Sequence, residues 1–201
     1  MGLIGVIPNG LVSRQRAVEM LVQDKDLPVV LSNLGLAYSG VGQYQEAITM
    51  LQQATMIKPA AGTYMELGTD LAEVGKMPEA IATCVKILTV EPAAKNMQGG
   101  CYKNVAIVLT NKGKLADAIA PLQKTTQLNP QDALAWKLLG DALMSITTTK
   151  SEDGNAVYVV PRGTVEAYQR YLQFEPNGPY AGQVREALEG LEKLTKPVSK
   201  P

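Results

Sequence analysis

One pattern of small and apolar residues occurs four times in this chain of 201 residues. Each copy begins with an aromatic residue or leucine, followed three residues later by an apolar–small pair and then by another apolar or aromatic residue. After a gap, a second set of small or apolar residues leads to a proline. The four copies are Leu31, Leu34, Gly35, Tyr38, Ala47, Leu51, Ala54 and Pro59; Tyr64, Leu67, Gly68, Leu71, Ala80, Cys84, Ile87 and Pro92; Tyr102, Val105, Ala106, Leu109, Ala118, Leu122, Thr125 and Pro130; and Trp136, Leu139, Gly140, Leu143, Thr164, Tyr168, Tyr171 and Pro176.

The spacing within each copy predicts two helices. Steps of three and four residues return side chains to the same side of a helix, so each set forms one inner face. Gly35 and Ala47 are small at the point where the two helices of the first copy should cross. Gly42, Gly75 and Gly113 lie between the two sets, where a residue that tolerates positive φ can end the first helix. Each copy is therefore a helix–turn–helix unit, closed by a proline that cannot extend the second helix.

These units resemble the tetratricopeptide repeat of bacterial type, a helix–turn–helix repeat of about 34 residues. The resemblance covers about residues 28–177. It implies an all-α fold, a right-handed α-solenoid of about four repeats with an N-terminal half-repeat and a C-terminal capping helix. The expected segments are residues 1–27 with the half-repeat helix, repeats at 28–60, 61–93, 94–131 and 132–177, and a capping helix and tail at 178–201.

The two flanks are expected to complete the stack. Residues 13–24 form an amphipathic pattern with Ala17, Met20 and Leu21 on its inner face, as in the second helix of a degenerate repeat. The last helix, to about Thr195, carries a polar outer face, which a solenoid requires at its end.

The fourth copy contains an insertion of twelve residues within residues 145–163. Residues 150–155 are polar and turn-forming, whereas residues 157–160 are apolar and β-branched and should dock on the protein. A functional loop and a neutral insertion are both compatible with this sequence.

The composition disfavours several classes of function. Lysine plus arginine equals aspartate plus glutamate, 19 each, without a basic cluster, which disfavours nucleic acid and anionic membrane surfaces as partners. The absence of histidine removes the commonest general base and metal ligand. The apolar N-terminal stretch is too short to span a membrane. We therefore expect no enzyme activity, no cofactor and no metal.

The two cysteines, Cys84 and Cys101, lack a metal-ligand spacing. Both occupy positions where the repeat pattern predicts small buried apolar residues. A disulfide between them depends on a Cα distance that the sequence does not fix. A cytoplasmic location is expected, with an exported chain lacking its signal peptide as the alternative.

The resemblance implies that a partner protein or an extended peptide binds in a groove lined by the first helix of each repeat. The helix face not used by the core supplies the candidate groove residues. They are Asn33, Leu36, Met65, Glu66, Thr69, Lys103, Asn104, Ile107, Lys137 and Asp141. Lys103 and Lys137 could jointly meet an acidic group. The two-carboxylate clamp of co-chaperone repeats is absent, since Ser32, Leu36, Glu66 and Gly100 occupy four of its positions.

The expected function is that of a non-catalytic scaffold or adaptor. Two alternatives stay open at this point: the repeat segment of a larger enzyme, such as a kinase or transferase, and a self-assembling component of envelope assembly. The sequence does not determine the oligomeric state.

Overall fold

The four copies of the sequence pattern fold into four pairs of helices, followed by a ninth helix. A computed structural model describes residues 26–152 and 155–195, and the predicted helix at residues 13–24 lies outside that range. The helices are α1 (Leu27–Gly40), α2 (Tyr44–Ile57), α3 (Ala61–Glu73), α4 (Met77–Val90), α5 (Lys95–Asn111), α6 (Leu115–Leu128), α7 (Ala133–Met144), α8 (Thr164–Phe174) and α9 (Ala181–Thr195).

Each pair packs against the next along the chain. The first helices are α1, α3, α5 and α7, and the second helices are α2, α4, α6 and α8. Helices α2, α4 and α6 each pack on the first helix of their own pair and on the first helix of the next pair. The all-α solenoid predicted from the sequence is confirmed.

Glycine ends the first helix in each of the first three pairs. Gly42, Gly75 and Gly113 have φ angles of 77°, 83° and 72°, as predicted. The amide of the residue that follows each glycine donates to a carbonyl five residues earlier, as in Lys76 to Leu71 at 2.8 Å. This hydrogen bond belongs to the Schellman motif, which satisfies the last carbonyls of a helix.

In three of the four pairs the two helices cross at a glycine. A Cβ atom on Gly35 would lie 2.7 Å from Cγ of Leu51, and one on Gly140 would lie 2.5 Å from the ring of Tyr168. In the third pair Ala106 occupies this position and is fully buried. The predicted packing role of these small residues is confirmed.

Cys84 on α4 and Cys101 on α5 form a disulfide, with a Cα–Cα distance of 5.6 Å. Both residues are fully buried, as the sequence predicts. Both sulfur atoms lie against Gly68, where a Cβ atom would be 2.8 Å from Sγ of Cys101. The disulfide therefore joins the second pair of helices covalently to the third at a helix crossing.

The core continues from pair to pair and ends in a second cluster around α8 and α9. The larger cluster includes Ile48, Leu122 and Ala167, and the second contains Tyr168, Tyr171 and Leu191. The Tyr171 hydroxyl accepts a hydrogen bond from the Tyr180 amide at 3.0 Å. Tyr168 and Tyr171 thus pack in one cluster with residues of the C-terminal helix.

The insertion contains an antiparallel hairpin of β1 (Thr148–Glu152) and β2 (Asn155–Val159). Thr148 pairs with Val159 in this ladder. Within the stretch 150–155 that was predicted to turn, residues 150–152 instead belong to β1 because they pair with β2, and the two strands are joined between Glu152 and Asn155, inside the predicted range. Val160 packs against the C-terminal cluster, whereas Tyr158 remains exposed.

The crossing in the fourth pair provides a test of overpacking. We expect Gly140→Ala to lower the free energy of unfolding by about 1–3 kcal/mol, because the added methyl group meets a buried tyrosine ring held by its hydroxyl. Gly190→Ala in α9 is the control, since no atom lies within 4 Å of its Cβ position. It should be neutral or raise the stability by up to about 1 kcal/mol. Urea unfolding measures both, and equal effects of the two substitutions would contradict the close crossing.

The disulfide provides a second test. Its two cysteines are 17 residues apart in sequence. Because a loop of this size restricts the unfolded chain, the double substitution Cys84→Ala and Cys101→Ala should lower stability by about 3 kcal/mol. A reductant should lower the urea midpoint of the unsubstituted protein and leave that of the double variant unchanged. An unchanged midpoint in both proteins would show that the two thiols are not joined.

Candidate functional site

The first helices form a common surface, here called the first-helix wall, from the side chains that α1, α3, α5 and α7 do not bury in the core. Polar contacts tie neighbouring helices of this wall together. They are Ser32 to Thr63 at 3.0 Å, Ser39 to Asp70 at 2.5 Å, Asn104 to Thr69 at 3.2 Å, and Lys103 to Asp132 at 2.5 Å. These contacts set the register of successive repeats.

Five of the ten predicted groove residues are engaged in such internal contacts. Thr69 and Asn104 bond to each other, and Lys103 pairs with the carboxylate that caps α7. Lys137 forms an ion pair with Asp141 at 2.6 Å. The two lysines therefore do not form the joint anion site considered above, because a carboxylate of the chain already neutralises each ammonium group.

Lys137 and Asp141 belong to a network that fixes the C-terminal helix. The Lys137 ammonium lies 4.6 Å from the ring centroid of Tyr180, and Asp141 accepts a hydrogen bond from the Tyr168 hydroxyl at 3.0 Å. Burial and the neighbouring Asp141 carboxylate raise the pKa of Tyr168, so this hydroxyl stays a donor. The network stabilises the end of the stack.

The other five predicted groove residues make no side-chain hydrogen bond or ion pair with the part of the chain that the structure describes. They are Asn33, Leu36, Met65, Glu66 and Ile107. Asn33 and Leu36 are exposed on α1, and the other three are half-buried on α3 and α5. Apolar side chains beside a carboxylate and an amide thus remain open at the α1–α3 end of the wall.

The open end of the wall is acidic. Burial raises the pKa of Glu66, and among the described residues no cation is paired with it. The pKa of Asp70 is raised to about 6, chiefly by burial. The hydrogen bond from Ser39 lowers this pKa, whereas the nearby charges of Glu66 and Glu73 raise it. The Glu73 carboxylate forms an ion pair with the Lys112 ammonium group at 3.4 Å. Sequence reasoning did not select Ser39 and Asp70, although Asp70 stands out as an acidic residue directly before buried Leu71.

Sequence reasoning also missed a groove on the side of the second helices. Between α4 and α6 a cavity of about 560 Å³ has Tyr102, Val105 and Leu109 on its floor and Met77 and Pro121 on its walls. The equivalent cavity over α3 has a volume of about 470 Å³, and there Lys86 lies 5.7 Å from the ring centroid of Tyr64. This second-helix groove is the competing surface for a ligand.

The described residues, 26–152 and 155–195, contain neither a membrane-spanning helix nor a metal-binding cluster. No helix among them is long and apolar enough to cross a membrane. Their cysteine, aspartate and glutamate side chains form no group of three or more that could hold a metal ion.

Comparisons with known proteins identify the repeat. Residues 29–60, which span most of α1 and all of α2, match the family model of the tetratricopeptide repeat. The small glutamine-rich tetratricopeptide repeat-containing protein 2 of Mycosarcoma maydis is 29% identical over 128 residues. That match covers 63% of this chain and 32% of the relative, so it spans about a third of the relative's length.

Solved structures share the architecture. The MamA protein superposes with a TM-score of 0.56 at 18% identity, over 84% of each chain. YrrB, a TPR protein with an unusual peptide-binding site, superposes with a TM-score of 0.50 at 16% identity, over 88% of each chain. At these identities the likeness shows the fold alone. The glycine-ended helix pairs, the matched repeat at residues 29–60 and the shared architecture together show that this chain has the tetratricopeptide-repeat fold.

Proposed function

We propose that this protein binds an extended segment of a partner protein in the groove formed by the first-helix wall. Tetratricopeptide-repeat proteins are generally non-catalytic interaction scaffolds, and the repeat architecture gives this chain that general role. The finer proposal places the ligand at the α1–α3 end of the wall. The observation that carries it is the set of side chains left without internal partners there.

Those side chains suit an extended peptide. Leu36 and Met65 offer apolar surface, and the Asn33 amide can both donate to and accept from a peptide backbone. Hydrogen bonds to the backbone fix the register of an extended ligand, while apolar contacts select its side chains. The opposite end of the wall is less suited, because Lys137 and Asp141 are bonded to each other.

Glu66 specifies the chemistry of the ligand further. Its half-buried carboxylate is able to accept hydrogen bonds and has no cation paired with it among the described residues. A basic side chain of the ligand would supply the missing charge, and a charge-assisted hydrogen bond is about twice as strong as a neutral one. We therefore propose a peptide with a basic residue next to an apolar residue.

The disulfide bears on where the protein works. Disulfides persist in oxidising compartments and are rare in the cytosol. The bond between Cys84 and Cys101 therefore favours the exported alternative over the cytoplasmic location expected from the sequence. This inference fails if a reductant leaves the unfolding midpoint of the protein unchanged.

The binding proposal predicts which substitutions abolish peptide capture. Peptides selected from a displayed random library on the unsubstituted protein should bind Glu66→Lys and Leu36→Asp at least about tenfold more weakly, which corresponds to about 1.4 kcal/mol. Met56→Asp is the control, because Met56 is exposed and lines the second-helix side of α2. Its affinity should equal that of the unsubstituted protein. Fluorescence anisotropy with labelled peptides measures all four proteins.

Two results would overturn the proposal. Selected peptides that bind Glu66→Lys and Leu36→Asp with unchanged affinity do not use the α1–α3 end of the wall. Peptides that lose affinity for Met56→Asp instead would place the site on the side of the second helices. Circular dichroism of each variant establishes that its helices are retained.

A further inference from the structure

Among the described residues, nothing covers an apolar face of α1 whose equivalents on the later first helices are covered. Leu34 is 41% exposed. The residues at the same repeat position, Leu67, Val105 and Leu139, are 5%, 0% and 5% exposed. One turn earlier, Val30 is 57% exposed, whereas its equivalents on α5 and α7 are fully buried. All these residues occupy the same position in their repeats, so the difference in exposure comes from the helices that pack around them.

In the later units the second helix of the preceding pair covers this face. Helix α2 packs on α3, α4 on α5, and α6 on α7. Within the described residues no helix precedes α1. The open face of Val30 and Leu34 is thus the one that a preceding second helix would bury.

We propose that residues 13–24 of this same chain cover the Val30–Leu34 face, in the manner in which α2 covers α3. The register of the sequence supports this. Leu51 of α2 precedes Leu67 by sixteen residues, and a step of sixteen back from Leu34 reaches Val18. An apolar residue therefore stands where the covering helix needs one.

The next turn of the segment fits the same register. Ala54 and Thr55 are the next buried residues of α2, and a step of one repeat, 33 residues, leads back from them to Leu21 and Val22. The same step from Ala47 and Ile48 leads to Arg14 and Gln15, so the apolar match begins at Val18. On a helix, Arg16, Glu19 and Gln23 lie opposite these apolar positions, where polar residues suit a solvent-facing side. The covered face defined in this way shares Leu21 with the inner face predicted from the sequence.

The connection favours cover by the same chain over cover by a second copy. Two residues, Lys25 and Asp26, separate the segment from α1, and three residues separate α2 from α3. A short connection gives the segment a high effective concentration at α1, in the millimolar range for short flexible linkers. A second copy would have to compete with this tethered segment.

The cover would hold α1 in place without closing the first-helix wall. Leu34 and Leu36 are two residues apart, which places them on roughly opposite sides of a helix of 3.6 residues per turn. The segment would pack on the Leu34 side, and Leu36 would stay open to a ligand. This docking is independent of the proposed peptide binding, since it uses the other side of α1.

Hydrogen exchange of the full chain, followed by mass spectrometry, tests this proposal. Leu34→Asp and Leu36→Asp are matched variants, because the two leucines lie on the same helix with exposures of 41% and 42%. We expect peptides from residues 13–24 to exchange on the order of tenfold or more slowly than an unstructured chain in the unsubstituted protein and in Leu36→Asp. In Leu34→Asp that protection should be lost. Peptides from α5 and α6 report whether each variant remains folded.

Three results would overturn the proposal. One is exchange of residues 13–24 at the unprotected rate in the unsubstituted protein. Another is protection that survives Leu34→Asp while α5 and α6 remain protected. The third is protection that appears only as the protein concentration rises together with dimer formation in sedimentation, because the occupant would then be a second copy.

Discussion

The close crossing of the two helices within each repeat is the constraint on which the rest of this structure depends. At Gly35, Gly68 and Gly140 a single Cβ atom would lie less than 3 Å from the partner helix or its neighbour. Without side chains there, the apolar residues of both helices meet along one continuous core. The disulfide depends on the same constraint, since its sulfur atoms pack directly against Gly68.

Stacking of the repeats uses polar side chains that the proposed ligand could otherwise contact. Contacts such as Asn104 with Thr69 and Lys103 with Asp132 hold neighbouring first helices together. Groups bonded in this way are less available to a partner. Among the ten predicted groove residues, four of the five without such bonds lie on α1 and α3, and this asymmetry is the basis for the proposal that the ligand binds there.

Sequence reasoning succeeded where spacing within one repeat determines the outcome. The positive φ of Gly42 and the buried position of Tyr171 follow from local helix geometry. It did not reach features that depend on the distance between repeats, such as the Cys84–Cys101 bond and the ion pair of Lys103. The hairpin was missed for a related reason, because the polar stretch of β1 becomes a strand only through its pairing with β2. Boundaries of the repeats and the binding role of the wall stay predictions.

Chemical-shift mapping is the most direct test of the central claim that the first-helix wall binds the ligand. Methyl and amide spectra of this 21.5 kDa chain would be recorded with and without a library-selected peptide. The account predicts that the largest shift changes fall on Leu36, Met65 and Ile107. Changes concentrated instead on Met77 and Ile81, which line the second-helix groove, would contradict it.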